Sequence, residues 1–481
     1  MPNLRFLLLW FLLLTTLVLK AQPNCECVHN FDAIVRKVQL NYAGFMDKTN
    51  GKKQIAYNRL CDSLRTVAAR TTVEGTCFDL LTAYTLFFQD RHLQLGNYQT
   101  AKLPRNYEPL TLAKARQLTS NARRDEPVGI WRSENGKVEV AILHQPGRSP
   151  NGFDYQGIVL SSQDTTIRPG LELFRAKRHG QSYFVKAILS GRSNHQHPTK
   201  QHGNIFYAYW GMTLIREFPF TSTAAEQAEL AANRVNNGFY IKPLANDVAL
   251  ISLRRGFSLS DKVMDSVLRY HEPMLSQTPN LIIDLRDNGG GNNTWEKLLP
   301  YVYSKPVTWP GGWLMRSSVD NIQMIERDSG YYTPAQWAKE KLFVEKLKQH
   351  MGELVNNGSA DVTIKLDNIR PNPRRVVVLI NDVCASSSEF IIQIAKQSPG
   401  VSVMGSPTSG MMDYGDLRHP LPLPCPDLRL VIPMAKSPWT DTAPIDPTGI
   451  LPDISLAHLP ESEWLDVAVK QLQSGKLPAK P

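Results

Sequence analysis

The run Val376-Val377-Val378-Leu379-Ile380 constrains this chain more than any other stretch. It is short, β-branched and apolar at every position, which predicts a strand buried on both faces of a sheet. Asn381-Asp382 follow as a turn signal. Cys384-Ala385-Ser386-Ser387-Ser388-Glu389 then open into the apolar residues 390–395, which predict a helix packed on that sheet. A serine at a strand-to-helix corner is held by backbone on both sides and faces the unpaired N–H groups and partial positive charge of the helix start. That setting suits a nucleophile whose product is an oxyanion. Ser386-x-x-Glu389 is equally the pattern of a helix capping box. Residues 281–285 repeat the buried-strand pattern, and Arg286-Asp287-Asn288 lead into Gly289-Gly290-Gly291. Consecutive glycines after a strand let backbone N–H groups come close to a ligand.

Taken together, these stretches resemble the S41 serine peptidases, the C-terminal processing or tail-specific peptidase family. That family's D-L-R-x-N-x-G-G loop stands here at 284–290 and its serine corner at 384–389. Its G-x-x-T-x-G turn is Gly405-Ser406-Pro407-Thr408-Ser409-Gly410, and its G-I-x-P-D close is Gly449-Ile450-Leu451-Pro452-Asp453. The resemblance implies Ser386 as catalytic nucleophile and an oxyanion hole built from the backbone N–H of Ser387 and of Gly289 or Gly290. In Ser–Lys members the lysine base directly follows the G-x-x-T-x-G turn. Met411 occupies that position here, and a thioether cannot take a proton. The tricorn-type branch takes a histidine base from a segment before the core. Its counterpart here is His92 in Asp90-Arg91-His92, with Asp446 as the nearest acid able to orient it. Nucleophile, base and orienting acid are then the roles of a serine triad. His419 and Lys436 are rival bases. Asp284, Arg286 and Thr408 are expected to brace the loops.

The expected fold class is α/β, with a ClpP/crotonase-like peptidase core over 240–460. A helical region at 22–105 and a small all-β module at 125–235 precede it, and a C-terminal tail at 461–481 follows. The module reads as a barrel or sandwich, lipocalin-like or otherwise, because no G-L-G-F-type loop of a PDZ domain is present. A helix is expected from Ser260 to about His271, stopping before Pro273. Residues 1–21, with an apolar run at 6–19 behind Arg5, read as a signal peptide cleaved near Ala21. The run is too short to span a bilayer comfortably, and no later stretch reads as a membrane anchor. A periplasmic or secreted protein is therefore expected.

Cys25, Cys27, Cys61 and Cys77 cluster near the N-terminus and could form up to two disulfides there; Cys384 and Cys425 lie far away. The formal charge of +10 is spread along the chain without an aromatic-interleaved basic stripe, so no nucleic-acid partner is expected. His195, His197 and His202 fall in a polar stretch and read as surface residues, not metal ligands. The expected function is an exported serine-type endopeptidase acting on protein or peptide substrates through an acyl-enzyme on Ser386, without a cofactor. The missing lysine keeps a second class open: a catalytically inactive S41-like protein that binds peptides or other ligands. There is no G-x-S-x-G elbow of the α/β-hydrolase kind.

Overall fold

The structure, a computed structural model, describes residues 25–97, 109–145, 152–165, 167–187, 192–193, 196–209 and 212–475. The leader expected at 1–21 lies outside the described residues, as do His195 and the His197 side chain.

A six-stranded sheet organises the second half of the chain. Its order is Phe239–Ala245, Val248–Leu253, Asn280–Asp284, Arg375–Ile380, Val401–Gly405 and Ile454–Ser455. The first pair is antiparallel and every later neighbour is parallel, so the class is α/β. Ile251, Ile283, Val378 and Val403 stand in register on one face, under the helices Asp261–Leu275 and Ser387–Ala395. Leu250, Ile282 and Val377 face the other way, beneath the helix Trp464–Gln473. Cover on both faces is why these strands read as continuous apolar runs rather than alternating ones.

Two expectations are corrected here. The tail expected at 461–481 contains the helix Trp464–Gln473. Trp464, Ala468 and Leu472 recur every fourth residue, and all three are buried against the sheet. The helix Asp261–Leu275 runs through Pro273 instead of stopping before it. A proline in the last turn removes only one intrahelical bond, which the packing of Met264, Leu268 and Leu275 outweighs.

Eight antiparallel strands between 129 and 218 close into a barrel. Closure leaves no unpaired edge, and in the interior the rings of Trp131 and Phe174 each lie 6.0 Å from that of Phe206. The N-terminal helices Cys27–Asn41 and Glu74–Leu86 present Phe31, Ile34, Val38, Leu81 and Tyr84 to one cluster. That cluster includes Tyr414, Leu430 and Met434 from the far end of the chain. The strand Gln94–Asn97 then pairs with Leu428–Val431. The docking explains the cysteines. Cys27 bonds Cys77, but Cys25 bonds Cys425, and Cys61 stays free. The expectation of a purely N-terminal cysteine set is corrected because tertiary packing carries Cys425 to the start of the first helix.

A non-reducing peptide map should therefore link Cys25 to Cys425 and Cys27 to Cys77. Without denaturant, a thiol reagent should modify Cys61 and spare the buried Cys384. Cys25→Ser should lower stability by about 2–4 kcal/mol in urea unfolding. A Cys25–Cys61 linked peptide would contradict the packing described.

Candidate functional site

Ser386 heads the helix Ser387–Ala395 with φ +52° and ψ −118°. A non-glycine residue holds such a conformation only when its surroundings fix it. The fixing begins with Asn288. Its carbonyl accepts the Ala385 N–H at 3.1 Å. Ser388 Oγ lies 2.8 Å from that carbonyl and 2.7 Å from Asn288 Oδ1. Asn288 Oδ1 also accepts the Gly290 N–H at 3.0 Å, and Asn288 Nδ2 donates to the Leu253 carbonyl. Ser387 Oγ donates to the Gly291 carbonyl at 2.7 Å. The glycine loop is thereby stitched onto the serine corner. Gly290, at φ +95°, approaches so closely that a Cβ there would stand 2.6 Å from the Ala385 carbonyl oxygen and 2.9 Å from the Ser387 nitrogen. This corrects one expected oxyanion donor: the Gly290 N–H points to Asn288. Among the described residues the N–H groups of Ser387 and Gly289 have no acceptor, and they are the donors left at the corner.

Glu389, fully buried, ties this corner to the G-x-x-T-x-G turn. Its Oε2 accepts from Ser386 N at 2.7 Å and Met411 N at 2.9 Å. Its Oε1 accepts from Thr408 Oγ1 at 2.6 Å and Gly410 N at 2.9 Å. Burial pushes its pKa up, and these four bonds pull it part of the way back. Thr408 Oγ1 in turn accepts the Ile450 N–H at 2.7 Å, which locks the G-I-x-P-D close onto the same turn. Gly410, at φ +73°, packs directly on the carbonyl oxygens of Ile445 and Asp446.

His92 is buried, and its Nδ1 lies 2.8 Å from the Tyr414 carbonyl oxygen. A carbonyl only accepts, so Nδ1 carries a proton, and in the neutral ring the lone pair is then on Nε2. Tyr414 lies three residues past Met411 on the turn that Glu389 holds. The backbone N–H of His92 donates to Asp90 Oδ1 at 2.8 Å, and Tyr42 Oη donates to Asp90 Oδ2 at 2.7 Å. Arg91 bonds the carbonyl and hydroxyl of Ser409. Among the described residues no hydrogen bond joins His92 to Ser386 or to Asp446.

The orienting role expected of Asp446 thus falls to the Tyr414 carbonyl. Asp446 Oδ1 instead accepts from Met412 N at 2.6 Å and Asp413 N at 2.9 Å. Burial, with Asp90 and Asp413 adding, pushes its pKa up to about 8. Both rival bases are engaged elsewhere. Lys436 Nζ is buried between Asp47 at 2.8 Å and Asp441 at 2.7 Å. Burial opposes its charge, but the two carboxylates raise its pKa and keep it an ammonium. His419 Nε2 lies 2.6 Å from Asp328 Oδ1, beside Arg418 on the same carboxylate.

Ion pairs frame the site. Arg286 grips Asp284 through Nε at 2.8 Å and Nη2 at 2.7 Å, both side chains buried. His202 is not the surface residue expected: its Nε2 lies 3.0 Å from Asp287 Oδ2, and Arg254 bonds the same oxygen. Burial opposes the charge of Asp287, yet Arg254 and His202 hold its pKa well below the carboxylate range. His202, Asp287 and Glu461 lie within 4.8 Å of one another, but Arg254 and Lys200 already supply the positive charge a cation would bring. Lys200, on the barrel, bonds Asp382 at 2.7 Å and Glu461 at 2.6 Å. A cleft of about 410 Å³ opens between barrel and core, lined by Arg91, Lys200, Asp382, Thr408, Asp446 and Trp464; neither Ser386 nor His92 lines it.

Sequence reasoning missed Asn288, Tyr414 and the inward turn of His202. Asn288 carries the one available signal, an amide side chain between a buried strand and three glycines. A backbone carbonyl such as that of Tyr414 has none.

No protein-family model matches the chain, and no curated protein does. Among solved structures it is similar to mature CPAF, at 14% identity and TM-score 0.47, covering 95% of this chain and 100% of that one. It is similar to the photosystem II D1 C-terminal processing protease at 12% identity and TM-score 0.36, covering 92% and 96%. The tricorn protease aligns at 12% identity and TM-score 0.37, covering 94% of this chain and 36% of that chain. At these identities the likeness carries no catalytic residue across, and the site's chemistry is argued from its own geometry.

Glu389→Gln turns an amide NH₂ toward buried donors and should cost about 3 kcal/mol in urea unfolding; a loss under about 1 kcal/mol would contradict the four-donor hub. Asp446→Asn tests the raised pKa. The folded state keeps a proton that the unfolded chain, with a pKa of 3.8, releases. Wild-type stability therefore falls through this group as pH rises from about 4 to about 8, and no further above. The Asp446→Asn protein should gain on wild type by up to about 1.4 kcal/mol per pH unit between pH 5 and pH 8. A constant difference across urea melts at those values would reject the protonated Asp446.

Proposed function

We propose that the chain is an exported serine-type endopeptidase that hydrolyses protein or peptide substrates through an acyl-enzyme on Ser386. One observation carries the reading: the serine corner and the turn whose Tyr414 carbonyl holds His92 are anchored on the same buried carboxylate, Glu389. In the reaction Ser386 Oγ attacks the scissile carbonyl carbon and its proton passes to His92 Nε2. The oxyanion takes hydrogen bonds from the N–H groups of Ser387 and Gly289. Collapse breaks the C–N bond, and His92 returns the proton to the departing amine. Water then repeats the attack, with His92 again as base, and frees the acid. Hydrogen bonds between nucleophile and base are often long in unliganded enzymes and tighten with substrate bound, which accommodates the missing Ser386–His92 bond. Export is supported by the apolar stretch behind Arg5 and by two disulfides, which persist in oxidising compartments.

The missing Ser386–His92 bond and Met411 in place of a lysine favour a second reading, a peptide-binding protein without turnover. A fluorophosphonate probe separates the two. Wild type should be labelled, Ser386→Ala should lose all label, and His92→Ala should slow labelling by about 10²–10⁴-fold. Absence of label on folded wild type would overturn the endopeptidase. Label lost with Ser386→Ala but unchanged in His92→Ala would leave the nucleophile and remove the base.

A further inference from the structure

The cleft between barrel and core carries a cation that has no counter-ion among the described residues. Arg91 lines this cleft and is half-buried. Its guanidinium lies 5.2 Å from the centre of the Phe184 ring on the barrel, and Nη1 bonds the carbonyl and hydroxyl of Ser409. The backbone around it is fixed too. The Arg91 carbonyl accepts from Gln94 Nε2 at 2.9 Å, and the next residue, His92, donates its N–H to Asp90. The side chain is therefore set in place without a ligand. Nε and Nη2 nevertheless meet no acceptor among the described residues, and no carboxylate there forms an ion pair with Arg91. Other buried cations of the region do have one: Arg286 has Asp284, Arg254 has Asp287, and Lys200 has Asp382 and Glu461.

A guanidinium does not give up its charge in a protein, and a charge drawn out of water without a partner is unfavourable. Burial accordingly presses the Arg91 pKa down, while Glu389, Asp446 and Asp382 raise it from beyond contact distance. Asp446 lines the same cleft, but its pKa of about 8 leaves it mostly protonated at neutral pH. The two free nitrogens, Nε and Nη2, are the pair that grips a carboxylate through two parallel hydrogen bonds. The volume of about 410 Å³ admits a small organic molecule, and Pro198, Pro407, Pro447 and Trp464 supply apolar lining. Elsewhere in the lining, Lys200 stands between Asp382 and Glu461. One ammonium between two carboxylates leaves an excess negative charge there, which disfavours a ligand with a second negative charge.

We propose that the cleft is a binding site for a small organic monocarboxylate, with the carboxylate held by Arg91 Nε and Nη2 and the apolar body against the proline and tryptophan lining. The site is separate from the proposed chemistry. Neither Ser386 nor His92 lines the cleft, so the inference does not rest on the endopeptidase reading.

Isothermal titration calorimetry of the full chain at neutral pH tests it, with cinnamate as the probe. Uncharged cinnamamide and dianionic phenyl phosphate are the comparisons. Cinnamate should bind at one site, and the amide and the phosphate should each bind about tenfold or more weakly. Arg91→Gln removes the guanidinium and should weaken cinnamate binding by about tenfold or more while leaving the amide unchanged. Thr448 lines the cleft at an exposed position, and Thr448→Trp should fill the space and abolish cinnamate binding. That second variant keeps the inference falsifiable if Arg91→Gln shows no cooperative melting transition. No cinnamate binding, equal affinities for acid and amide, or tighter binding of the phosphate would each overturn the inference. So would an unchanged cinnamate affinity in a folded Arg91→Gln or Thr448→Trp protein. A protein that binds cinnamate in this pattern yet takes no fluorophosphonate label would keep the site and lose the hydrolase, so the two failures are distinguishable.

Discussion

A carboxylate removed from water is tolerated only when donors meet its oxygens, and Glu389 meets that condition with four. Two come from Thr408 Oγ1 and Gly410 N, and two from Ser386 N and Met411 N. The requirement works in both directions. The buried charge needs these groups, and the two chain segments that carry them must come together to supply them. Thr408 passes the constraint on to Ile450, and the turn passes it on to Tyr414 and so to His92. The positions of the proposed nucleophile and base thus depend on one desolvated side chain that touches neither reacting atom.

Asn288 plays a second, neutral part in the same assembly. Its amide joins Leu253, Gly290 and Ser388, so the glycine loop cannot shift without breaking contact with the serine corner. Ser386 and Asp287 both have positive φ without being glycine, and each sits inside such a mesh. Asp287 is held by Asn381, which takes its N–H at 2.9 Å and donates back at 2.7 Å. Strain of about 1–3 kcal/mol per residue is sustained when the surroundings overdetermine the conformation.

Charge placement decides which titratable groups are free to act. Lys436 and His419, both available on paper as bases, are tied to carboxylates. Lys200 is similarly tied, and it draws the barrel, the Asn381-Asp382 turn and the Glu461 segment together. His92 alone among these candidates is held by a neutral carbonyl at Nδ1 and not by a carboxylate, so in the neutral ring Nε2 is the nitrogen with the lone pair. Asp446 is pushed toward its neutral form by burial, with Asp90 and Asp413 adding, a state in which it acts as a backbone acceptor and not as the charged member of a triad.

Local pattern was enough to define the buried strands, the serine corner, the glycine loop and the α/β class, because each depends on residues adjacent in the chain. Residues 281–285 and 376–380 read as buried strands, and Ser386 to Glu389 as a helix start, and the structure has both. The same pattern was blind where partners are distant. Cys425 reaches Cys25 across 400 residues, His202 turns inward to Asp287, and the tail folds back as a helix because Trp464, Ala468 and Leu472 find an uncovered sheet face. Sequence alone determined which side chains are candidates for chemistry. Tertiary structure decided which of them keep a free lone pair or N–H, because burial and hydrogen-bond competition are set by the neighbours that packing supplies, and those neighbours lie up to hundreds of residues away.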